Sequence, residues 1–171
     1  IHQQGQTMPD EIHILTTAEG CQRAKLLLID QGWLAKFYID YQLAKPPFTE
    51  QHIHCLATES GDIQSSADNQ IMADTITESI RHFTADTHTH LHVSIAGGRK
   101  SMSYYAGYAL SLYGRPQDRL SHVLVTPEYE THPLFYYPTP YSQIIYTNDA
   151  SRKALDTQNA KVTLIDIAFV R

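Results

Sequence analysis

Between a short apolar run and an apolar, aromatic one that ends at Gly114 lies Ser94-Ile95-Ala96-Gly97-Gly98-Arg99-Lys100-Ser101-Met102-Ser103. An extended run that turns through two glycines straight into a helix is a strand-to-helix junction, the repeating unit of α/β proteins. Glycines let a backbone approach a ligand closely, and the first turn of a helix offers unpaired N–H groups that favour negative charge. Arg99 and Lys100 add two cations at the same place. A guanidinium grips phosphate oxygens in a fork, whereas an ammonium is a mobile point charge that follows developing charge. The stretch therefore reads as a phosphate-binding turn. The plainer alternative is a structural turn whose cations lie solvated on the surface.

Two familiar phosphate motifs do not fit. Aligned on Lys100 and Ser101, the triphosphate loop G-x-x-x-x-G-K-[ST] needs glycines where Ser94 and Arg99 stand. The dinucleotide fingerprint G-x-G-x-x-G fails because Gly97 and Gly98 are adjacent and the next glycine is Gly107, well inside the helix.

The chain has 171 residues, 42% of them hydrophobic, which suits one α/β core spanning residues 1–171. Its formal charge of -5 argues against a surface that coats nucleic acid, so no duplex DNA binding is expected, while a small anion in one basic pocket remains compatible. Cys21 and Cys55 stand in no metal-like or redox-like spacing, so no disulfide scaffold is expected and a reduced, cytoplasmic setting follows. No apolar run approaches the roughly 20 residues that span a bilayer, so no membrane partner is expected.

Glu11 to Thr16 reads as a strand, and Thr17 caps a helix from about Glu19 to Gln31 that stops at Gly32. A stretch of low order containing Lys45-Pro46-Pro47 precedes a second strand over Ile53 to Ala57. Glu59 to Ala67 reads as a polar loop, and Asp68 as the N-cap of a helix whose apolar face is Ile71, Met72, Ile76, Ile80 and Phe83. A strand over His90 to Ile95 leads into the glycine turn, a helix over Ser101 to Tyr113, and a strand over Leu120 to Val125. Thr126 to Tyr141, rich in Pro and Tyr, suits a long ordered loop or binding arm, and Val162 to Val170 is a final strand. This alternation predicts a Rossmann-like, doubly wound, mainly parallel sheet with helices on both faces, and ligands at the carboxyl ends of its strands. Thr16, Thr17, Glu19 and the Gly97 turn fall at such ends.

Three segments carry a specific resemblance: Pro9 to Thr17, Leu91 to Met102, and Ala109 to Val125 with its Gly114-Arg115-Pro116-Gln117-Asp118-Arg119 core. They resemble the CRISPR-associated Rossmann-fold (CARF) domain of the ring-nuclease family over nearly the whole chain. The resemblance implies a homodimer that binds cyclic oligoadenylate, as the tetra- or hexa-adenylate ring, across its twofold axis. It also implies cleavage without a metal or other cofactor, since a ribose 2′-hydroxyl already in the ligand attacks the adjacent phosphorus and leaves a 2′,3′-cyclic phosphate. Family members begin with a strand, a serine-containing loop and a helix that have no counterpart from Ile1 onward, and that loop contributes to their site. The R-x(4 to 6)-H signature of the ribonuclease domain in related effectors can be laid on Arg81 and His88, but that match crosses a helix end and is read as coincidence.

On this reading Lys100 is the catalytic candidate, placed to stabilise charge gained in the transition state. Arg99 with the backbone of Ala96, Gly97 and Gly98 grips phosphate, and Ser101 and Ser103 donate to oxygens. Thr16, Thr17 and Asn69 are further ligand-contacting candidates, although a cap fully explains Thr17, and Asp68 beside Asn69 is equally a helix cap. No metal site is expected: His88, His90 and His92 share a face of one strand, but a flat strand rarely wraps a tetrahedral ion. Tyr104, Tyr105 and Tyr108 suit core or dimer packing, and Tyr129, Tyr136, Tyr137 and Tyr141 surface packing or a lid. Two other functions stay open: a non-catalytic cyclic-oligoadenylate sensor that regulates an effector ribonuclease, and a subunit binding an ordinary mononucleotide.

Overall fold

Thr17 opens the first helix as its side chain predicts: its Oγ1 accepts the Gly20 N–H at 3.3 Å, between strand β1 (Ile14–Thr16) and helix α1 (Ala18–Ala24). The computed structural model describes residues 7–58 and 61–170, so the loop expected at Glu59 and Ser60 and everything read at Ile1 lie outside the described residues. The helix expected as far as Gln31 is continuous but changes pitch, running from α1 into a π-helical stretch over Lys25–Asp30. Gly32, at φ 72°, ends it in the left-handed region that glycine enters without strain.

Trp33–Asp40 is a helix, α2, where the sequence suggests only a stretch of low order. Trp33, Phe37 and Tyr41 recur every fourth residue, and their rings meet Tyr136 and Tyr137 from far along the chain, which is what holds so short a helix. Strand β2 (Ile53–Cys55) lies parallel to β1 in the register Ile14↔Ile53 to Thr16↔Cys55.

Helix α3 (Ser66–Phe83) buries Met72, Ala73, Ile76 and Ile80, much of the face its periodicity foretells. Its N-cap is Ser65 rather than Asp68. The Ser65 Oγ accepts the Asp68 N–H at 3.0 Å, while Asp68 Oδ2 accepts the Ser65 backbone N–H at 3.1 Å, a capping box with the carboxylate three residues inside. Asp68 is buried by that task.

Strand β3 (His92–Ser94), helix α4 (Lys100–Tyr113) and strand β4 (Arg119–Val125) form the central βαβ unit, with β3 and β4 parallel. The loop expected from Thr126 begins with one helical turn, α5 (Pro127–Glu130), and is followed by a hairpin of β5 (Ile144–Tyr146) and β6 (Ala154–Asp156). The last strand, β7 (Val162–Ile167), runs antiparallel along β4 from Val125↔Val162 to Leu120↔Ile167. Strands pair as β1-β2, β3-β4-β7 and β5-β6. The chain is thus mixed α/β, with five α-helices among the described residues. None of the described helices is long and apolar enough to cross a membrane.

One core joins the first two sheets. Leu56, Met72, Ile76, Ile80, Ala109, Leu110 and Leu120 are buried together between α3, α4 and the strands, and Leu15 of β1, Val93 of β3 and Ile95 pack against them. A second cluster, Tyr129, Ile145, Leu155 and Ala160, closes the hairpin onto α5. The tyrosine-rich arm is held to α2. Tyr136 stacks on Trp33 with ring centroids 3.9 Å apart, and the hydroxyls of Tyr137 and Tyr141 each donate to Asp40 Oδ2 at 2.8 Å.

The cysteines depart from the expectation that they stay unpaired. Cys21 of α1 and Cys55 at the end of β2 form a disulfide, with their Cα atoms 5.9 Å apart. A separation of 34 residues is no motif, which is why the sequence conceals it; α1 folding back over the β1–β2 pair brings the two together.

Candidate functional site

The glycine turn lies where strand-end ligands are bound, after β3 and before α4. Gly97 has φ 81°, so a side chain there would be strained, whereas a Cβ on Gly98 would meet only Met102 side-chain atoms at 3.7 Å, an ordinary contact. Only the first of the two glycines is demanded by the backbone. Arg99 occupies the N-cap position of α4 without capping it through its side chain, and Lys100 begins the helix exposed. Among the described residues no hydrogen bond or ion pair holds the Lys100 ammonium. Ser101 and Ser103 are half-buried in the first turn, and the Ser103 Oγ lies 3.5 Å from the Arg99 carbonyl oxygen, at the limit of a hydrogen bond.

Arg99 is engaged by Asp62, which no local sequence signal marks. Its Nε donates to Asp62 Oδ1 at 2.9 Å and its Nη2 to Asp62 Oδ2, a two-pronged pair. The backbone N–H of Ile63 foremost, and Arg99 after it, hold the Asp62 carboxyl below the usual carboxylate range against the opposing effect of burial. The preceding residue, Gly61, accepts the Ala18 N–H at 3.1 Å. This segment therefore ties the start of α1 to the glycine turn. Thr17 and Arg99 belong to one connected rim although 82 residues separate them in the chain.

The remaining candidates are already employed. The Thr16 hydroxyl faces α1, where a Cβ on Gly20 would come within 2.0 Å of Oγ1, and the Thr17 hydroxyl caps α1. Asn69 is half-buried and donates from Nδ2 to the Tyr105 hydroxyl at 3.4 Å, linking α3 to α4. Ala96 to Ser103 are contiguous along the turn and the start of α4, with Asp62 bonded to Arg99 beside them.

Behind the turn sits a buried fork. Asp118, with no exposed surface, accepts the N–H groups of Leu91 at 2.9 Å and Arg115 at 2.8 Å, and the Arg115 Nε and Nη2 at 2.8 Å each. It joins the approach to β3 with the approach to β4. Both strands that aim the turn are thereby fixed at their starts.

His88, His90 and His92 do not share one strand face, since β3 begins only at His92. His92 Nε2 lies 2.7 Å from Ser121 Oγ on β4, and His88 pairs with Asp86 in solvent. A second group, invisible in the sequence pattern, forms where β1 meets β2: His13 Nδ1 lies 2.9 Å from His54 Nε2, with His52 alongside. Burial first, and then the neighbouring His13 and His52, push the His54 imidazole below its ordinary range. A cleft of about 560 Å³ opens there, lined by His54, Asp74, Glu78, Ser79, His82 and Phe83, and the glycine turn takes no part in it. Among the described residues no group of three or more His, Cys, Asp or Glu is arranged to hold a metal ion.

On α4, Tyr104 and Tyr108 stack at 6.3 Å and continue into Leu112, a stripe 65%, 51% and 54% exposed. Core packing is thus excluded for Tyr104 and Tyr108 within this chain. The arm tyrosines are packed on α2 or, for Tyr129, buried in the second cluster.

No curated protein and no solved structure matches this chain. A family model described as CRISPR-associated protein NE0113 matches residues 1–171, its whole length. With a glycine turn carrying two cations at a strand end, the chain belongs to the CRISPR-associated protein NE0113 family.

Proposed function

We propose that this chain is a CARF-type domain that binds cyclic oligoadenylate in CRISPR defence and cleaves the ring without a metal. The observation that carries this reading is the left-handed Gly97 turn between β3 and the 14-residue α4, with Arg99 and Lys100 at the helix start. A doubly wound sheet is part of the proposal: the parallel pairs β1–β2 and β3–β4 share one core under α3 and α4, as its two halves would. A twofold ring suits two identical half-sites, and the exposed Tyr104, Tyr108 and Leu112 stripe on the helix that leaves the turn is a face for the second copy. A cytoplasmic setting goes with such a messenger, on the messenger's account alone, since the Cys21–Cys55 disulfide removes the argument from the cysteines.

The nucleophile belongs to the ligand. A ribose 2′-oxygen bonds to the adjacent phosphorus, the bond from phosphorus to the 5′-oxygen breaks, and the proton lost by the 2′-hydroxyl is matched by one gained at the leaving oxygen. The product is linear, with a 2′,3′-cyclic phosphate end. The protein's task is to hold the attacking oxygen in line and to answer the extra charge on phosphorus. The Gly97 and Gly98 backbone with Arg99 would grip the phosphate, Ser101 and Ser103 would donate to its oxygens, and Lys100 would answer the charge. Thr16, Thr17 and Asn69 would border the ring.

One observation favours a second reading, the sensor without cleavage. Electrostatic catalysis needs a preorganised charge, and no partner among the described residues fixes Lys100. Radiolabelled cyclic tetra-adenylate and hexa-adenylate, incubated with the protein and EDTA beside Lys100→Ala, separate the two. Linear products that disappear in the variant establish the nuclease. An intact, shifted ring establishes the sensor, and the absence of both cleavage and a shift overturns the cyclic-oligoadenylate reading.

A further inference from the structure

Asp62 occupies the two guanidinium donors of Arg99 that a phosphate would take. Its side chain is 22% exposed while that of Arg99 is 56% exposed, so the carboxylate is the more enclosed partner and the guanidinium the more open one. Asp62 is also tethered. The carbonyl of Gly61 before it is bonded to Ala18, and the N–H of Ile63 after it favours its charged form. A ligand phosphate arriving at Arg99 therefore shares the guanidinium with, or displaces by a short distance, a negative charge that stays beside the site.

Such a charge repels ligands in proportion to their own charge. An internal phosphodiester carries one negative charge, and a terminal phosphomonoester about 1.5 to 2 near neutral pH. We infer that Asp62 is a specificity-determining residue that makes the Gly97 turn accept phosphodiesters and reject terminal phosphates, so that mononucleotides and inorganic phosphate do not occupy a site meant for a phosphodiester ring. This rests on the reading of the turn as a phosphate site, and it names what kind of phosphate. The same carboxylate, were it only a brace that orients Arg99, would strengthen the binding of every phosphate.

The two roles differ in sign, so one substitution separates them. Asp62→Asn keeps the size of the side chain and removes its charge. At 4 Å in water one pair of unit charges is worth about a fivefold change in binding, hence roughly twenty-five-fold for a dianion. Affinities of the wild type, Asp62→Asn and Asp62→Glu would be measured by calorimetry at low salt and pH 8 for inorganic phosphate, adenosine monophosphate and cyclic tetra-adenylate. Asp62→Asn is expected to tighten the first two about twenty-five-fold and the ring about fivefold per engaged phosphate, with the gap shrinking as salt is added. Asp62→Glu, with the charge retained, is expected to keep the wild-type preference and guards against a folding artefact. Weaker binding of all three probes to Asp62→Asn, restored by Asp62→Glu, would make Asp62 a brace and overturn the selectivity. An equal gain per engaged phosphate for all three would also overturn it. If Arg99→Ala leaves the binding of every probe unchanged, the phosphate-site reading itself is lost, an outcome distinct from either.

Discussion

A carboxylate with no exposed surface persists only when its charge is answered, and at Asp118 the Arg115 guanidinium and the N–H groups of Leu91 and Arg115 answer it. Burial alone would raise its pKa; the Arg115 fork and the N–H groups of Leu91 and Arg115 outweigh burial and hold it below the carboxylate range. A depressed folded-state pKa stabilises the protein above the unfolded value, about 3.9, and that stabilisation disappears as pH falls through the folded-state value. Replacing Asp118 by Asn leaves Arg115 without its counter-charge and is expected to cost about 3 kcal/mol at pH 7. Urea unfolding of both proteins at pH 7 and pH 3 checks this: the wild type should lose stability on acidification more steeply than the variant. Among single residues, Gly97 was legible because its neighbours form a motif. Asp62 was not, because nothing local marks an aspartate that will meet Arg99 from 37 residues away.

Elements were legible where their signal is periodic and local. The apolar face of α3 and the run of α4 follow from side-chain spacing, and Thr17 from capping chemistry. Helix α2 escaped because much of its stabilisation comes from aromatic rings of the distant arm. The cap of α3 shifted by three residues because a capping box places an acid at the third position, where it imitates a cap. The link between α1 and β2 makes its own prediction. Reducing the Cys21–Cys55 bond frees a loop of 34 residues, which in the chain-entropy account lowers stability by roughly 3 to 4 kcal/mol. Denaturant unfolding with and without a dithiol reductant measures this, and a shift under 1 kcal/mol would mean that packing alone holds α1 against β2.

Across the whole molecule, Asp40 is the point where distant parts of the chain are joined. Its carboxylate takes the hydroxyls of Tyr137 and Tyr141 at 2.8 Å each and the Lys36 ammonium at 3.0 Å, clamping the arm to α2. Asp40→Ala is expected to release the arm and cost about 2 kcal/mol in stability. Trp33, the chain's single tryptophan, stacks on Tyr136 and reports this directly, since its emission should shift to the red when the arm leaves. Unchanged emission would show that stacking suffices without Asp40. By itself the sequence determined that the chain is α/β, which runs become its longest helices, and that a cationic glycine turn precedes one of them; period, capping and turn chemistry act over a few residues and can be read there. Only the tertiary structure decided that Cys21 bonds Cys55, that β7 runs antiparallel to β4, that the arm lies on α2 and that Asp62 holds Arg99. Each of these joins partners more than thirty residues apart, and the choice among many possible partners is made by the packing of the whole core.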